Sequence, residues 1–430
     1  MKAVILAAGE GSRIWPLAET RPKHLLPIAG KPLLGHMLTA LCQNGISEVT
    51  LVVGFQEDII RQTLATGKEY GVQLDYVKQP KWTGTATALG KASKSLGEDR
   101  FVAIYGDLMI DSSAVKVLMA KAAGSHYVMG VVRLPDVSQF GAVELQGDLV
   151  RNILEKPTSR RSNPGWVNSG MYVLDRGIFS AIGKTGRSRR AEFELTTSLQ
   201  LLIKNGYEIN AAIIPEQNWL DVGRPWDLLA ANQRALRTLQ SLTLGTVETG
   251  VIVKGNVFVD EGAVIKSGSY LEGPLYCGRG SKVGPHARIR PFTSLEVDTV
   301  VGKGCDIKNS ILMKGSKVPH LSYVGDSIVG EHCNLGAGTM TANVRFDKRS
   351  VRMSIKNKLV DSGMAKLGVI MGDHVEIGIN ATLMPGVRIG SGSWIGPGVI
   401  LSEDVPSGKV VLAKQSHIVR RRSVAPSLLL

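Results

Sequence analysis

Aliphatic or small residues recur at every sixth position through much of the second half of the chain. A period of six fits neither an α-helix nor a two-sided strand, but it is typical of a triangular coil in which each hexapeptide forms one flat side. An ordinary β-sandwich would instead alternate with a period of two and turn at irregular intervals. The pattern therefore predicts a left-handed hexapeptide-repeat β-helix. Its inward positions would be Val253, Val259, Ile265, Leu271, Cys277, Val283, Ile289, Leu295, Val301, Ile307 and Met313, then Met371, Ile377, Leu383, Ile389, Ile395 and Leu401.

The first half of the chain alternates short apolar runs with amphipathic helical patterns. This alternation predicts an α/β doubly wound, Rossmann-like domain. A further amphipathic helix, with leucines on one side, would connect it to the β-helix. The predicted strands are 2–8, 48–53, 74–77, 101–104 and 211–214, and the predicted helices are 33–44, 58–66 and 225–242. The predicted domains are an α/β domain 1–224, a helical linker 225–245, the β-helix 246–412 and a basic tail 413–430.

The net charge of +14 raises the question of an acidic partner. Its two arginine runs, at 187–190 and 420–422, have no interleaved aromatic residues and no nucleic-acid motif. They are therefore interpreted as solvated loops, with no nucleic-acid partner, and small phosphorylated ligands remain as the partner class.

Cysteine spacing and the lengths of apolar runs indicate compartment and membrane association. The four cysteines are widely spaced, which predicts neither a disulfide framework nor a zinc knuckle and favours a cytoplasmic location. Residues 3–8 are too short an apolar stretch for a secretory signal, and no run approaches the roughly 20 residues of a membrane span. The sequence thus predicts no membrane partner.

A glycine-rich turn, Gly9-Glu10-Gly11-Ser12-Arg13, follows the first predicted strand. Glycines allow backbone N–H groups to approach a phosphate closely, because no side chain intervenes. A third glycine at the dinucleotide spacing is missing, so a nicotinamide-binding fingerprint is disfavoured.

The longer string LAAGEGSRIWPLAETRPKHLLPIAGKPLL, residues 6–34, resembles the signature of the sugar-1-phosphate nucleotidylyltransferases. The resemblance continues along the first domain as far as WLDVG, residues 219–223. It implies that the turn wraps a nucleoside triphosphate, that Arg13 binds its phosphates and that Lys23 steadies the reacting phosphates. By the same resemblance, the nucleotide contacts are Leu6, Ala7, Ala8, Gly9, Gly11, Gln79, Gly84 and Thr85, the sugar-phosphate contacts are Tyr105, Gly141, Glu155, Lys156 and Asn168, and the Mg²⁺ ligands are Asp107 and Asp221.

The expected reaction also calls for these residue types. When a sugar-phosphate oxygen attacks the α-phosphorus and pyrophosphate leaves, negative charge builds on several oxygens, and cations must neutralise it. Mg²⁺ takes hard oxygen ligands such as carboxylates. Taken singly, however, Asp107 or Asp221 could equally well be an aspartate that caps a turn at the end of a strand.

A second string, KGSKVPHLSYVGDSIVGEHCNLGAGTMTANVRFDKR, covers residues 314–349. It resembles the acetyltransferase segment of the bifunctional N-acetylglucosamine-1-phosphate uridyltransferase/glucosamine-1-phosphate acetyltransferase family, and archaeal members with both domains look still more similar overall. The resemblance implies that His320 is the catalytic base and that Ala337 contacts acetyl-CoA. The remaining implied contacts are Arg290, Lys308 and Tyr323 with the sugar phosphate, Asn334 with the sugar, and Asn343 at the site of acetyl transfer.

The chain departs from the bacterial pattern after Asn343. Residues 344–347 replace a tyrosine-aspartate-glycine sequence, Arg349 replaces a lysine, and the six-residue period is interrupted between 341 and 367. Arginine can still bind phosphate, with different geometry. An amide forms from a thioester only if a base takes the proton of the amine, and a neutral histidine suits that role. The other seven histidines lack such supporting neighbours.

These observations predict a bifunctional enzyme that makes UDP-N-acetylglucosamine from glucosamine-1-phosphate, acetyl-CoA and UTP. An alternative is a glucose-1-phosphate uridylyl- or thymidylyltransferase whose β-helix is structural or weakly active. A regulatory subunit without turnover would be expected to lose Arg13, Lys23 or Asp107, and all three are present. Whether UTP or dTTP is preferred stays open. The resemblance further implies a homotrimer, and the nucleotidyl-transfer residues are expected to lie entirely before Pro225.

Overall fold

The computed structural model describes residues 1–155, 164–188 and 191–420, with the backbone alone at Glu155. The predicted sugar-phosphate contact Lys156 lies outside the described residues, as do the last two arginines of each basic run.

A nine-stranded mixed sheet forms the core of the amino-terminal half. The first strand runs parallel to both of its neighbours, and its side chains alternate between two buried clusters, Ala3, Ile5 and Ala7 on one face and Val4 and Leu6 on the other. In the middle of the sheet, the strand Gly165–Leu174 runs antiparallel to the strands on both sides of it, which the sequence pattern did not predict. In chain order the strands are β1 Ala3–Ala7, β2 Pro27–Ile28, β3 Lys31–Pro32, β4 Glu48–Val53, β5 Gln73–Lys78, β6 Phe101–Tyr105, β7 Leu108–Ile110, β8 Tyr127–Leu134, β9 Gly141–Gln146, β10 Leu149–Glu155, β11 Gly165–Leu174, β12 Ile209–Ile213 and β13 Trp219–Asp221.

The order of strands across the sheet is β5-β4-β1-β6-β11-β8-β12-β10-β9, with β2–β3 and β7–β13 as separate pairs. Residues of α1, α2 and α4 belong to the buried cluster on one face, and residues of α3, α5 and α6 to the cluster on the other. The helices are α1 Leu33–Cys42, α2 Glu57–Leu64, α3 Thr85–Lys91, α4 Ser112–Ala123, α5 Gly177–Gly183, α6 Leu195–Lys204 and α7 Pro225–Thr238. The doubly wound domain predicted from sequence is confirmed.

The carboxyl-terminal half is a β-helix with three parallel faces, as predicted. Face 1 consists of Leu242–Thr243, Val257–Val259, Leu275–Cys277, Ser294–Leu295, Ile311–Leu312, Ile328–Val329, Ile370–Met371 and Arg388–Ile389. Face 2 consists of Thr246–Val247, Val264–Ile265, Lys282–Val283, Val300–Lys303, Lys317–His320, Asn334–Leu335, Glu376–Ile377, Trp394–Ile395 and Val410–Val411. Face 3 consists of Ile252–Lys254, Tyr270–Glu272, Arg288–Ile289, Asp306–Lys308, Tyr323–Gly325, Met340–Thr341, Thr382–Leu383 and Ile400–Leu401.

Two predicted inward positions behave differently from the rest. Val253 lies in the first coil, where no preceding coil covers it, and it is 46% exposed. Met313 does not point into the β-helix but joins an apolar cluster between the two halves of the molecule, and Leu312 takes the inward place. The reason is a coil that is one residue shorter: Cys277 pairs with Leu295, but Leu295 pairs with Leu312.

Face 1 packs against the amino-terminal domain. Its outward residues Ile311, Ile328 and Ile370 share a buried cluster with Ile14 and Trp226. The interruption of the period contains a hairpin, Arg352–Ile355 and Lys358–Asp361, which joins the same cluster through Val351, Met353 and Ile355. The sequence predicted only a loop that leaves the coil, so its role in joining the two domains is new. Helix α7 crosses this interface and ends at Thr238, four residues before the predicted end.

Within the described residues, no helix has the length and apolar character needed to cross a membrane.

Candidate functional sites

The two proposed metal ligands lie next to each other because of one short strand pairing. Strand β13 runs antiparallel to β7, with Asp221 opposite Leu108. The N–H of Val222 donates to the carbonyl of Asp107 at 2.8 Å. Residues more than a hundred positions apart in the sequence are therefore placed side by side, with both carboxyl groups at the same edge of the domain.

Lys23 and Arg13 contribute positive charge at this edge. The Nζ of Lys23 lies 2.5 Å from Oδ2 of Asp107. Gly11 has a φ of +70°, and a Cβ there would lie 3.1 Å from the side chain of Lys23. At Gly223 a Cβ would lie 3.1 Å from the guanidinium of Arg13 and 3.4 Å from the carboxylate of Asp221. Both glycines thus leave room for the cations to reach the acidic pair.

The electrostatics of the pair are unequal. Burial raises the pKa of Asp107, but the Lys23 ammonium outweighs it and holds the pKa below its usual value. Burial, followed by the negative charge of Asp107, raises the pKa of Asp221. Additional positive charge close to Asp107 and Asp221 would therefore stabilise their ionised carboxylates. The residues fit Mg²⁺, which binds through one or two carboxylates together with substrate phosphates, although no cluster of three metal-ligating side chains occurs in the described ranges.

The predicted base-binding residues surround a constrained loop. Gln79 is buried, and its Nε2 donates to the carbonyl of Gly84 at 3.4 Å, while its Oε1 has no hydrogen-bond partner among the described residues. A Cβ at Gly84 would lie 2.3 Å from the carbonyl oxygen of Phe193. The hydroxyl of Thr85 accepts from the N–H of Leu195 at 2.9 Å, so this side chain holds the start of α6. The unpaired Oε1 of Gln79 is an acceptor of the kind that the N3–H of uracil or thymine requires.

The turn residues themselves are tied to neighbouring strands. β1 ends at Ala7, and the carbonyl of Leu6 accepts from Gly106 at 2.9 Å. The carbonyl of Ala8 accepts from Phe55 at 3.4 Å. A Cβ at Gly9 would meet nothing within 4 Å, so the backbone there faces open space that a ligand can enter.

The predicted sugar contacts in the described part of the chain lie on β6, β9, β10 and β11. The amide of Asn168 donates to the hydroxyl of Tyr172 at 2.6 Å, and that hydroxyl lies 3.2 Å from the hydroxyl of Tyr105. Gly141 pairs with Glu155 across β9 and β10. The structure therefore brings the backbones of these two residues together, while the side chain of Glu155 is not described.

The β-helix carries a second polar cluster, on face 3. Lys308 and Asn343 both bind Asp326, at 3.0 Å and 2.5 Å, and Asn343 also donates to the hydroxyl of Tyr323 at 3.1 Å. The Asp326 side chain is only 4% exposed. The sequence did not predict a role for Asp326, because its two partners lie on other coils. Its position beside Gly325 and near Tyr323 was the one available signal.

Arg290 belongs to the same face, with its guanidinium 3.8 Å from Asp306. His320 is the last residue of its strand on face 2, and it is solvent-exposed. His320 and Tyr323 therefore flank one corner of the coil, with the 63% exposed Leu321 between them.

The next coil places Asn334 and Ala337 near the same corner. The side-chain amide of Asn334 donates to Glu376 at 3.2 Å, and the N–H of Gly338 donates to the carbonyl of His320 at 3.4 Å. The carbonyl of Ala337 accepts from Asn380 at 2.8 Å. Arg349 lies apart, exposed in the segment before the hairpin, where its N–H donates to Asp347 at 3.2 Å. The structure does not bring its side chain into the Asp326 cluster.

Comparison with known protein families matches both halves. Residues 2–238 match the family described as Nucleotidyl transferase. Residues 271–384 match the family described as GMPPB C-terminal domain, and residues 368–403 match the family described as Bacterial transferase hexapeptide (six repeats).

Full-length relatives extend this result. A protein from Methanocaldococcus jannaschii named Bifunctional protein GlmU is 40% identical over 98% of this chain and 100% of its own. One from Sulfurisphaera tokodaii, named Bifunctional sugar-1-phosphate nucleotidylyltransferase/acetyltransferase, is 38% identical over 95% of this chain and 99% of its own. A solved structure of a candidate glucose-1-phosphate thymidylyltransferase from Bacillus anthracis superimposes with a TM-score of 0.50 and 29% identity, covering 56% of this chain and 98% of its own.

Proposed function

Because the chain belongs to the family of bifunctional sugar-1-phosphate nucleotidylyltransferases/acetyltransferases, we propose that it makes UDP-N-acetylglucosamine through two separate active sites. The β-helix acetylates glucosamine-1-phosphate with acetyl-CoA, and the amino-terminal domain joins the product to UTP. The observation that supports this most strongly is the presence of two polar clusters on different domains, one around Asp107 and Asp221 and one around Asp326. We propose the same division of labour as the predicted boundaries, with nucleotidyl transfer in 1–224 and acetyl transfer in 246–412.

In the nucleotidyl site, Arg13 and Lys23 bind the triphosphate and neutralise charge on the leaving pyrophosphate. Asp107 and Asp221 would hold Mg²⁺, which supplies further positive charge when bound. Gln79 accepts from the base, and the proposed contacts with the sugar phosphate are Tyr105, Gly141, Glu155, Lys156 and Asn168. Because little covalent chemistry falls to the protein, the rate depends on how accurately these groups are placed.

In the acetyl site, the phosphate of glucosamine-1-phosphate binds Arg290, Lys308 and Tyr323. Asn334 and Asn343 orient the sugar so that its amine faces the thioester carbonyl, and Ala337 contacts acetyl-CoA. His320 accepts the proton of the amine as the C–N bond forms, and CoA leaves as the thiol.

A substrate panel tests the proposal. The wild-type enzyme is assayed with UTP or dTTP against glucose-1-phosphate, N-acetylglucosamine-1-phosphate and the two amino-sugar phosphates, with pyrophosphate and CoA release measured separately. We expect the highest kcat/KM with UTP and N-acetylglucosamine-1-phosphate. A clear preference for glucose-1-phosphate, together with no CoA release, would instead support the alternative of a glucose-1-phosphate uridylyl- or thymidylyltransferase, which the similarity to the B. anthracis structure favours.

We further propose a homotrimer in the cytoplasm. Large apolar side chains stand exposed on faces 2 and 3 and at the corner between them, including Leu321 at 63%, Trp394 at 59% and Ile400 at 74%. Exposed apolar side chains of this kind fit a protein interface, and Leu321 directly follows His320. The four cysteines are all free, which suits a reducing compartment. Light scattering should give a trimer or a multiple of it, whereas a stable monomer with full acetyl transfer would contradict the assembly.

A further inference from the structure

The segment between the glycine-rich turn and α1, residues 15–30, lies directly against the β-helix; we call it the signature segment. Near its start, the ring of Trp15 stacks under the guanidinium of Arg388 at 4.7 Å. The carboxylate of Glu19 accepts from the N–H of Ser391 at 3.2 Å. At its end, the N–H of Gly30 donates to the side chain of Glu296, next to a strand of face 1, at 3.2 Å. The segment is therefore held at both ends by a domain that contributes nothing to the nucleotidyl site predicted from sequence.

The middle of the signature segment makes the most buried contact. The guanidinium of Arg21 binds two carboxylates of the β-helix, Glu331 at 2.5 Å and Asp373. The hydroxyl of Thr20 donates to the same oxygen of Asp373 at 2.5 Å. The side chains of Arg21 and Asp373 are 11% and 7% exposed, so solvent screens this ion pair little.

Asp373 is itself fixed by neighbouring coils. Its other oxygen accepts from the N–H of Glu331 at 2.7 Å, and its own N–H donates to the hydroxyl of Ser391 at 3.2 Å. Both carboxylate oxygens are therefore committed, and the stacked strands leave the group one orientation. A planar guanidinium bound between two such carboxylates is correspondingly restricted in position.

Arg21 is separated from Lys23 only by Pro22. The proline restricts its own φ, here −59°, and a short helical turn, Lys23–Leu25, begins directly after it. Lys23 then reaches Asp107 at 2.5 Å. Because this connection is stiff, a displacement of Arg21 would also displace the ammonium group of Lys23, which is proposed to steady the reacting phosphates.

We propose that Asp373 and Glu331 of the β-helix are positioning residues for nucleotidyl transfer, acting through Arg21 on Lys23. The inference rests on the proposed role of Lys23. It adds that the geometry of the nucleotidyl site depends on the β-helix, although every residue proposed to contact substrate or metal lies before Pro225. The carboxylates touch neither substrate nor metal; they fix where a catalytic cation stands.

The test is Asp373→Asn in the full-length protein, which keeps the shape of the side chain and removes its charge. We expect kcat for pyrophosphate release to fall about 10-fold to 10²-fold, the cost of a small misplacement of a catalytic group. The KM for UTP should change less than about threefold, since Lys23 acts mainly on the transition state. CoA release should stay within about twofold. Arg21→Ala should produce the same loss, and the double variant should be no worse than the poorer single one, because the pair acts as a unit.

Asp175→Asn is the matched control. This carboxylate also accepts two side-chain hydrogen bonds, from Tyr127 and His126 at 2.6 Å each, but within the amino-terminal domain. It should lower the melting temperature and leave kcat unchanged. If Asp373→Asn does the same, the contact is merely structural and the inference is wrong.

If Asp373→Asn does not fold, Glu331→Gln decides, since that side chain is 32% exposed. A drop in kcat with intact CoA release supports the inference, and an unchanged kcat overturns it. A wild-type enzyme that releases no pyrophosphate at all would instead refute the proposed function.

Discussion

The nucleotidyl site and the acetyl site are assembled in opposite ways. The first gathers Arg13, Lys23, Asp107 and Asp221 from separate short segments spread over some two hundred residues, and a strand pairing brings the two acids together. The second stacks its residues on successive coils of face 3, where Asp306 pairs with Tyr323 and Tyr323 with Met340. A site built from distant segments depends on contacts with other parts of the protein to hold its geometry. A site built on stacked coils is held by the coils above and below it.

The largest effect is expected when the acetyl site loses its proposed base, because acetyl transfer should then fail while nucleotidyl transfer continues. His320→Ala removes the proposed base and should lower acetylation of glucosamine-1-phosphate on the order of 10²–10⁴-fold, the usual contribution of a positioned general base. Nucleotidyl transfer should be unaffected. The measurement is the rate of CoA thiol release at saturating substrates. A variant with wild-type CoA release would remove His320 from the mechanism.

The converse experiment concerns the acidic pair. Asp107→Asn and Asp221→Asn should each lower pyrophosphate release about 10²–10³-fold, because each removes charge that organises the reacting phosphates. CoA release should continue at the wild-type rate. Excess Mg²⁺ should restore little, since a ligand and not the ion has been lost. Full nucleotidyl transfer by either variant would refute the metal assignment.

A smaller effect is expected at the residue that organises the acetyl site. Asp326→Asn should raise the KM for glucosamine-1-phosphate about 10-fold to 10²-fold, because Lys308 and Asn343 lose the charged group that orients them. Asp347→Asn is the control: its carboxylate pairs with Arg345 in an exposed loop, and the KM should not change. Equal KM values for all three proteins would show that the cluster on face 3 does not bind the sugar phosphate.

The smallest effect tests the stack itself. Ile307 is fully buried and directly precedes Lys308. Ile307→Val should reduce the free energy of unfolding by about 0.5–1.5 kcal/mol, the usual cost of one buried methylene. Ile400→Val, at a position 74% exposed, should change it by less than about 0.5 kcal/mol. Chemical denaturation measures both. A loss of acetyl transfer in Ile307→Val without loss of stability would mean that the site depends on more than its supporting coils.

The sequence predicted the β-helix well, because one inward residue in six leaves a strong periodic signal over many coils. It failed at Met313, where a coil shortened by one residue shifts the register. The six-residue period could not reveal this shift, since an apolar residue such as Met313 can be buried in the interface between the domains as well as inside the β-helix. The antiparallel strands around β11 were also missed, because a strand buried on both faces shows no clear alternation.

The candidate sites were predictable where a local motif carries the residues, as for Arg13, Lys23 and His320. Asp326 was missed because its importance comes from two partners on other coils. The contact between Arg21 and Asp373 joins residues 352 positions apart, and no spacing rule connects them. Interactions between domains depend on how two surfaces meet, which only the folded structure shows.

The most direct test of the central claim, that one chain carries two separable active sites, follows CoA release and pyrophosphate release in parallel. Wild type, His320→Ala and Asp107→Asn are each given glucosamine-1-phosphate, acetyl-CoA, UTP and Mg²⁺, and separately N-acetylglucosamine-1-phosphate with UTP and Mg²⁺. We expect wild type to release CoA and pyrophosphate in the first mixture and pyrophosphate in the second. His320→Ala should release neither product in the first mixture, because uridylyl transfer there depends on the acetylated sugar, but should release pyrophosphate at the wild-type rate in the second. Asp107→Asn should release CoA in the first mixture and almost no pyrophosphate in either. A wild-type enzyme that releases no CoA with any amino-sugar phosphate would contradict the central claim.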